Sequence, residues 1–252
     1  MAVDPTARLA SVPKVKHRAS RHNGDAVEVI FGPDEELSER VIFPITDSQA
    51  NGIEDARFVE FNDDGRKTYY ATYTAYSGRA IRSEFLETTD FRSFRMTPLD
   101  GSASRNKGMA LFPRKIGGRY AMIGRQDNEN LYLIYSDDLY SWDGGQSILQ
   151  PEYPWEFVQI GNCGSPIELD DCWLLLIHGV GPVGNIRLGP FSSTSRTPQR
   201  FSHVRVSLWF VPSPQNARVT CPMSSTLAAP CVIATKSSCL TPCLTPSPIS
   251  RR

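Results

Sequence analysis

The densest chemistry in this chain lies in seven residues, Asn51-Gly-Ile-Glu-Asp-Ala-Arg57. A Gly-containing turn presents Glu54, Asp55 and Arg57 just ahead of an alternating run, Phe58-Val-Glu-Phe61. Two carboxylates beside a guanidinium at the mouth of a strand suit a polar substrate. A carboxylic acid can protonate a leaving oxygen, and a guanidinium can fork onto an anion. The structural alternative is a loop salt bridge between Glu54 and Arg57, a common fate of exposed charges. Further polar groups stand at equivalent places along the chain. Arg105 and Lys107 precede a second β-rich stretch, Arg125 ends a strand within it, and His178 ends the matching strand of a third. Cations drawn from several strands onto one cleft make an anion site, fit for phosphate or a carboxylate. Their alternatives are ordinary loop cations and a strand-end histidine satisfied by hydrogen bonds. Asp127 and Glu129, close to Arg125 in sequence, are the candidates for a second carboxylate. Tyr76, Trp142 and Trp155 could stack on sugar faces or simply pack.

The elements that must position these groups read as strands. From Leu37 onward the pattern is β-rich, with no helical periodicity over the first stretch. Arg57–Phe61 leads through the turn Asn62-Asp-Asp-Gly65 into Thr68-Tyr-Tyr-Ala-Thr-Tyr-Thr-Ala-Tyr76, rich in the Tyr and Thr that strands favour. Ala80–Glu87 follows, then Asp90 and Phe94. The order recurs in Gly108–Phe112, Arg119–Arg125, Asn130–Tyr135, Asp138 and Trp142. Tyr70 to Tyr120 is 50 residues, and Asp90 to Asp138 and Phe94 to Trp142 are 48 each. A third copy runs from Gly161-Asn-Cys-Gly-Ser-Pro-Ile167 to Cys172-Trp-Leu-Leu-Leu-Ile-His178. Antiparallel strands repeating at this period predict propeller blades, whose inner strands line a central cleft. The competing architecture is a β-sandwich of unrelated hairpins.

The chain predicts three segments. Residues 1–36 read as loose, apart from one candidate strand, Ala26–Phe31; residues 37–183 carry the blades; residues 184–252 form a Ser/Thr/Pro/Cys-rich tail. The net charge of zero hides a split. The tail holds eight Lys/Arg and no Asp/Glu, leaving 19 basic and 27 acidic residues in positions 1–183. An acidic body argues against nucleic acid as a partner. Four of six cysteines (Cys221, Cys231, Cys239, Cys243) lie in the tail without a paired CxxC spacing, and the body keeps only Cys163 and Cys172. That predicts neither a disulfide framework nor a metal site. No apolar run approaches the roughly 18 residues of a membrane helix, and no h-region follows the basic N-terminus, so the expected location is cytoplasmic with no membrane partner. Only Val204–Val211 in the tail reads as a strand.

These residues resemble glycoside hydrolase family 130, the mannoside phosphorylases and related mannosidases. The resemblance rests on Gly52-Ile-Glu-Asp-Ala-Arg57, Thr72-Tyr-Thr-Ala-Tyr76, Arg105-Asn-Lys107 with Leu111-Phe-Pro113, Gly118–Met122 through Arg125, Ser136-Asp-Asp138 with Trp142, and Ile160-Gly161 through Trp173 to His178-Gly-Val180. It spans about residues 37–183. It implies an all-β, five-bladed β-propeller and inverting cleavage of a β-mannoside, with phosphate attacking in phosphorylases and water in hydrolases. By the same resemblance Asp55 is the general acid. The resemblance also puts Arg105, Lys107, Arg125 and His178 where the family gathers cations for phosphate, and by their places beside these groups Glu54, Arg57 and Asp127 are expected to bind the substrate. No cofactor is implied beyond inorganic phosphate as co-substrate, and the other partner is a small oligosaccharide. Ala56 stands where the family often has Pro, and Gly108 where it often has an acid. The expectation for this chain is about three blades of the five, an out-of-frame or unrelated tail, and reduced or no activity. Phosphorolysis and hydrolysis both stay open. The competing functions are a non-catalytic sugar- or phosphate-binding propeller remnant, and a basic tail that docks to an acidic partner.

Overall fold

The β-rich runs form the strands their patterns predict, and most strands pair antiparallel with a sequence neighbour. In the computed structural model the described residues are 13–18, 26–170, 172–182, 186–193 and 201–202, and none of them is α-helical. The first sheet holds β1 (Lys14–Arg18), β2 (Ala26–Ile30), β3 (Ile53–Asp63), β4 (Arg66–Tyr76), β5 (Ile81–Thr88) and β6 (Ser93–Pro98), in the order β1-β2-β6-β5-β4-β3. The second is a meander of β7 (Ala110–Leu111), β8 (Tyr120–Gly124), β9 (Leu131–Ser136) and β10 (Gln146–Leu149). The third contains β11 (Gln159–Asn162), β12 (Ile167–Glu168), β13 (Trp173–Val180), β14 (Ile186–Ser193) and β15 (Phe201–Ser202). β11 and β12 pair with the two ends of β13, so the edge read as one run from Gly161 to Ile167 is a broken strand.

Two apolar layers bind the three sheets together. Phe61, Tyr70, Phe85, Met122, Ile134 and Trp142 fill the space between the first and second. Ile123, Leu133, Ile160, Trp173, Leu175 and Ile177 fill that between the second and third. The middle sheet is therefore buried on both faces, which is why Ala121-Met-Ile123 is continuously apolar rather than alternating. Sheets stacked face to face with their inner strands at one side are propeller blades, not a sandwich.

Two segment boundaries differ from the reading of the sequence. Ala26–Phe31, the one strand expected in the otherwise loose stretch, is part of the first sheet, with Ala26–Ile30 paired on both sides as β2. Val27, Val29 and Phe31 are buried beneath the first sheet with Phe94 and Met96, so their apolar face drives the pairing. The expected break at residue 183 also falls inside a blade. β14 pairs with β13 over seven registers, from Val180↔Ile186 to Leu174↔Ser192, and supplies the closing strand that the third repeat lacked in sequence. Gly189-Pro190 disguised it. Pro190 is tolerated because β15 pairs only with Ser192 and Ser193, leaving that edge open among the described residues. Val204–Val211 and the four tail cysteines lie outside the described residues.

Candidate active site

The predicted residues meet at one end of the three sheets. β3 enters there, and β8 and β13 finish there. The pairing of β3 with β4 shifts register between Glu54 and Arg57. Within this bulge Asp55 takes a left-handed backbone, φ 57°. A non-glycine residue held in that region stores strain, and bulges commonly re-aim a side chain beside a functional site. The outcome here is that the Asp55 carboxylate reaches solvent, 51% exposed, while Arg57 turns inward, 11% exposed, with Nη2 4.0 Å from Asp55 Oδ2. Arg57 Nη1 donates to the Met109 carbonyl at 3.4 Å, tying the first sheet to the entry of the second. Glu54 accepts a hydrogen bond from Lys107 Nζ at 3.2 Å, so the Glu54–Arg57 salt bridge envisaged from sequence gives way to a Glu54–Lys107 pair.

Deeper in the site lies Arg125, the residue after β8. It is 3% exposed, and its Nε and Nη1 are buried without a hydrogen-bond partner. Burying guanidinium nitrogens without hydrogen-bond partners is costly and favours an anion beside them. Two glycines make room around it. A Cβ on Gly108 would sit 3.4 Å from Arg57 Nη1 and 3.6 Å from Arg125 Nε. One on Gly161 would sit 2.7 Å from Arg125 Nη1 and 2.6 Å from the His178 ring. Arg57, Arg125 and His178 thus line one recess floored by glycine backbone.

The electrostatics agree. Burial lowers the Arg57 guanidinium from its ordinary value, with Asp55 opposing most strongly. Arg125 is lowered by burial and then by the neighbouring charge of Arg57. His178 is pushed down to about 4 by burial, then by Arg125 and Arg57. Near neutral pH its ring is therefore uncharged, which corrects its expected place among the cations: it supplies a hydrogen bond rather than a charge.

Other predicted residues take different places. Arg105 is exposed, with its backbone bridged to Arg82. Asp127 closes its own turn, accepting from the amides of Glu129 and Asn130, from Asn130 Nδ2 and from the Tyr132 hydroxyl. Burial alone would raise its carboxyl, but those bonds hold it below the usual carboxylate range. Trp142 is fully buried and donates to the Leu139 carbonyl, so it packs rather than stacks on sugar; Tyr76 remains 40% exposed. Sequence reasoning overlooked Cys163, whose Sγ lies 3.9 Å from His178 Nδ1. Cys163 reaches solvent, yet its neighbours crowd the thiol enough that desolvation pushes it up to about 11 while Arg57 pulls the other way. It also overlooked Asn106, held at φ 66° by a bond from Nδ2 to the Gln126 carbonyl. Only the Asn-Lys-Gly run hints at that turn. Among the described residues no group of three or more His, Cys, Asp or Glu could hold a metal ion, and no helix is long and apolar enough to cross a membrane.

Comparison with known proteins places this geometry. The family model described as beta-1,4-mannooligosaccharide phosphorylase matches residues 30–186. A 1,2-beta-oligomannan phosphorylase from Thermoanaerobacter sp. is 31% identical over 156 residues, covering 61% of this chain and 51% of its own length. A beta-1,2-mannobiose phosphorylase from Listeria innocua is 29% identical over 147 residues, covering 55% and 39%. The chain thus spans about half the length, or less, of these curated relatives. The crystal structure of a Listeria innocua beta-1,2-mannobiose phosphorylase with beta-1,2-mannobiose superposes with a TM-score of 0.57 at 22% identity, over 71% of this chain and 52% of that one. The shared fold is the five-bladed β-propeller of those neighbours, of which three blades are described here. With the family match running through all three blades and every motif of the recess, the chain belongs to glycoside hydrolase family 130.

Proposed function

We propose that this chain carries the phosphate and acid half of a β-mannoside phosphorylase site. Arg125 carries the reading: a buried guanidinium with two unpartnered nitrogens, Nε and Nη1, beside Arg57 and a neutral His178. Inorganic phosphate fits that recess. Its oxygens accept from Arg125 and Arg57, its negative charge relieves the repulsion between them, and His178 donates without adding charge. Bound there, phosphate attacks the anomeric carbon of a β-mannoside from the face opposite the glycosidic oxygen. The bond to that oxygen breaks, Asp55 supplies its proton directly or through a sugar hydroxyl, and the product is α-mannose 1-phosphate.

Phosphorolysis is favoured over hydrolysis by the state of the neighbouring carboxylates. Inverting hydrolysis needs a second carboxylate to activate water. Glu54 is paired with Lys107, both oxygens of Asp127 are engaged in its turn, and Glu129 is exposed on that same turn. The names of the relatives, phosphorylases of β-1,2- and β-1,4-linked mannosides, support the same class of substrate. The test is incubation of the purified chain with β-1,2- or β-1,4-mannobiose, with and without inorganic phosphate. Formation of mannose 1-phosphate only with phosphate is expected, lost in Arg125→Met and Asp55→Asn. Mannose release independent of phosphate would make the site hydrolytic. Phosphate binding without turnover would make it an anion-binding module.

A further inference from the structure

Two strands away from Asp55, on β5, a second carboxylate is buried where no substrate reaches it. Glu84 is 1% exposed. Its Oε2 accepts from Gln49 Nε2 at 2.8 Å and from the Tyr73 hydroxyl at 2.6 Å, and its Oε1 accepts from Ser48 Oγ at 2.6 Å. Gln49 is itself fully buried; its Nε2 also reaches the Tyr73 hydroxyl at 2.9 Å, and its Oε1 accepts from the amides of Ile45 and Thr46. Arg82 Nε lies 4.0 Å from Glu84 Oε1.

These bonds hold the 3₁₀ turn Asp47–Gln49, and that turn feeds directly into the bulge. The Gly52 amide donates to the Gln49 carbonyl, Asn51 to the Tyr76 carbonyl, and Tyr76 to the Gly52 carbonyl. Ile53 and Glu54 then pair with Ala75 and Thr74 before the register shifts at Asp55. From Gln49 to Glu54 the backbone is bonded almost continuously, and its anchor is one buried negative charge.

We propose that Glu84 is a positioning residue for Asp55: its charge clamps the turn that fixes how β3 enters the bulge and holds the strained Asp55 backbone. This rests on Asp55 being the acid of the reaction proposed above. A carboxylate suits the task because it accepts only. Three donors converge on it, and bonds to an ionised acceptor are short and strong. An amide at position 84 has one oxygen and an NH₂ group that opposes the donors already there, so at least one buried group loses its partner.

The pattern also defines its own rescue. Exchanging the two side chains, as Gln49→Glu with Glu84→Gln, keeps every hydrogen-bonded contact among positions 45, 46, 48, 49, 73 and 84, with donor and acceptor reversed among 49, 73 and 84. The carboxylate at 49 accepts from Ile45, Thr46 and Tyr73, the amide at 84 donates to it, and the remaining amide oxygen accepts from Ser48.

The experiment is residue-resolved amide hydrogen exchange on the full chain. Glu84→Gln is expected to accelerate exchange at Asn51, Gly52 and Tyr76 tenfold or more. The β8 and β9 amides should keep their rates, and the double exchange should restore the slow rates. Tyr73→Phe, which removes one donor and keeps the ring, should show the same pattern more weakly if Glu84→Gln does not fold. Uniform acceleration across all sheets would reduce Glu84 to a general stability role. Unchanged rates at Asn51 and Gly52, or no rescue by the double variant, would overturn the proposal. Phosphate titration and turnover are followed in parallel. Where the wild-type chain turns over, Glu84→Gln should lower kcat tenfold or more while phosphate affinity, set by Arg125, stays. A wild-type chain that neither binds phosphate nor turns over would sink the phosphorylase reading, whatever the exchange data show.

Discussion

At the scale of single residues, the site is a set of charges forced into unusual states by their neighbours. His178 shows this most directly. Its ring is held at about 4 by burial, then by Arg125 and Arg57, against an ordinary value of 6.5. Between those two values the unfolded chain binds a proton that the folded chain refuses. Folding stability is therefore fully present above about pH 6.5 and falls as the pH drops towards 4. Two and a half pH units set a ceiling on the order of 3 kcal/mol. Urea unfolding at pH 7, 5.5 and 4.5 should show this loss, and His178→Asn should flatten it in that window. An unchanged slope in the variant would mean that the ring is not desolvated. Carboxylates held low by hydrogen bonds, such as Asp90 and Asp127, act further down the pH scale. The types of Asp55, Arg125 and His178 and their strand-end places were legible in sequence. The neutrality of His178 was not, because it arises first from burial in the folded stack and then from two guanidinium groups brought in from other sheets. The engagement of Asp127 was not, because a loop aspartate poised for substrate and one closing an Asx turn have the same local sequence.

At the scale of elements, alternating and continuously apolar runs announced most strands correctly, since burial on one face or both fixes their pattern. What escaped was pairing that depends on a distant edge. β2 needed the open edge of β6, and β14 needed that of β13 to override Gly189-Pro190. The joint between the first two blades is likewise invisible in sequence. Asp100 and Ser141 form a parallel bridge, the Asp100 amide donates to the Tyr140 carbonyl, and the Trp142 amide donates to the Asp100 carbonyl. Gly101 makes this approach possible. Its φ is +94°, and a Cβ there would lie 2.1 Å from the Trp142 carbonyl oxygen, a backbone atom that cannot step aside. Gly101→Ala should therefore cost about 3 kcal/mol or more from clash and strain together. Gly117→Ala is the matched control: φ is +59° and nothing lies within 4 Å of a Cβ, so only the left-handed penalty of about 1–2 kcal/mol applies. Urea midpoints of the two variants decide it, and equal losses would mean that the blade joint yields.

At the scale of the whole molecule, two apolar layers hold three blades together, and the recess lies where all three meet. Arg57 comes from the first blade, Gly108 and Arg125 from the second, and Gly161 and His178 from the third. The layers stabilise the stack, whereas the recess works against it, because it buries two guanidinium groups side by side and the exposed Asp55 carboxylate offsets them only in part. A site that pays in stability for a waiting charge makes an opposed pair of predictions that no purely structural arginine shares. Replacing Arg125 with methionine fills a similar space and removes a buried charge that nearby carboxylates offset only in part, so the ligand-free chain should become more stable by about 1–3 kcal/mol. The same change removes the group that phosphate needs. Wild-type chain should gain about 2.7 kcal/mol at a phosphate concentration of 100 Kd, by mass action on the folded state. The variant should gain almost nothing. Thermal unfolding in a phosphate series at constant ionic strength, with chloride as the balancing anion, reads both effects in one experiment. The two curves should cross, the variant being the more stable without phosphate and the wild type with it. A variant less stable at every phosphate concentration, with the wild-type phosphate shift intact, would instead make Arg125 a strut between the second and third blades and place any anion elsewhere. The crossing follows only if Arg125 serves an anion rather than the packing of the blades.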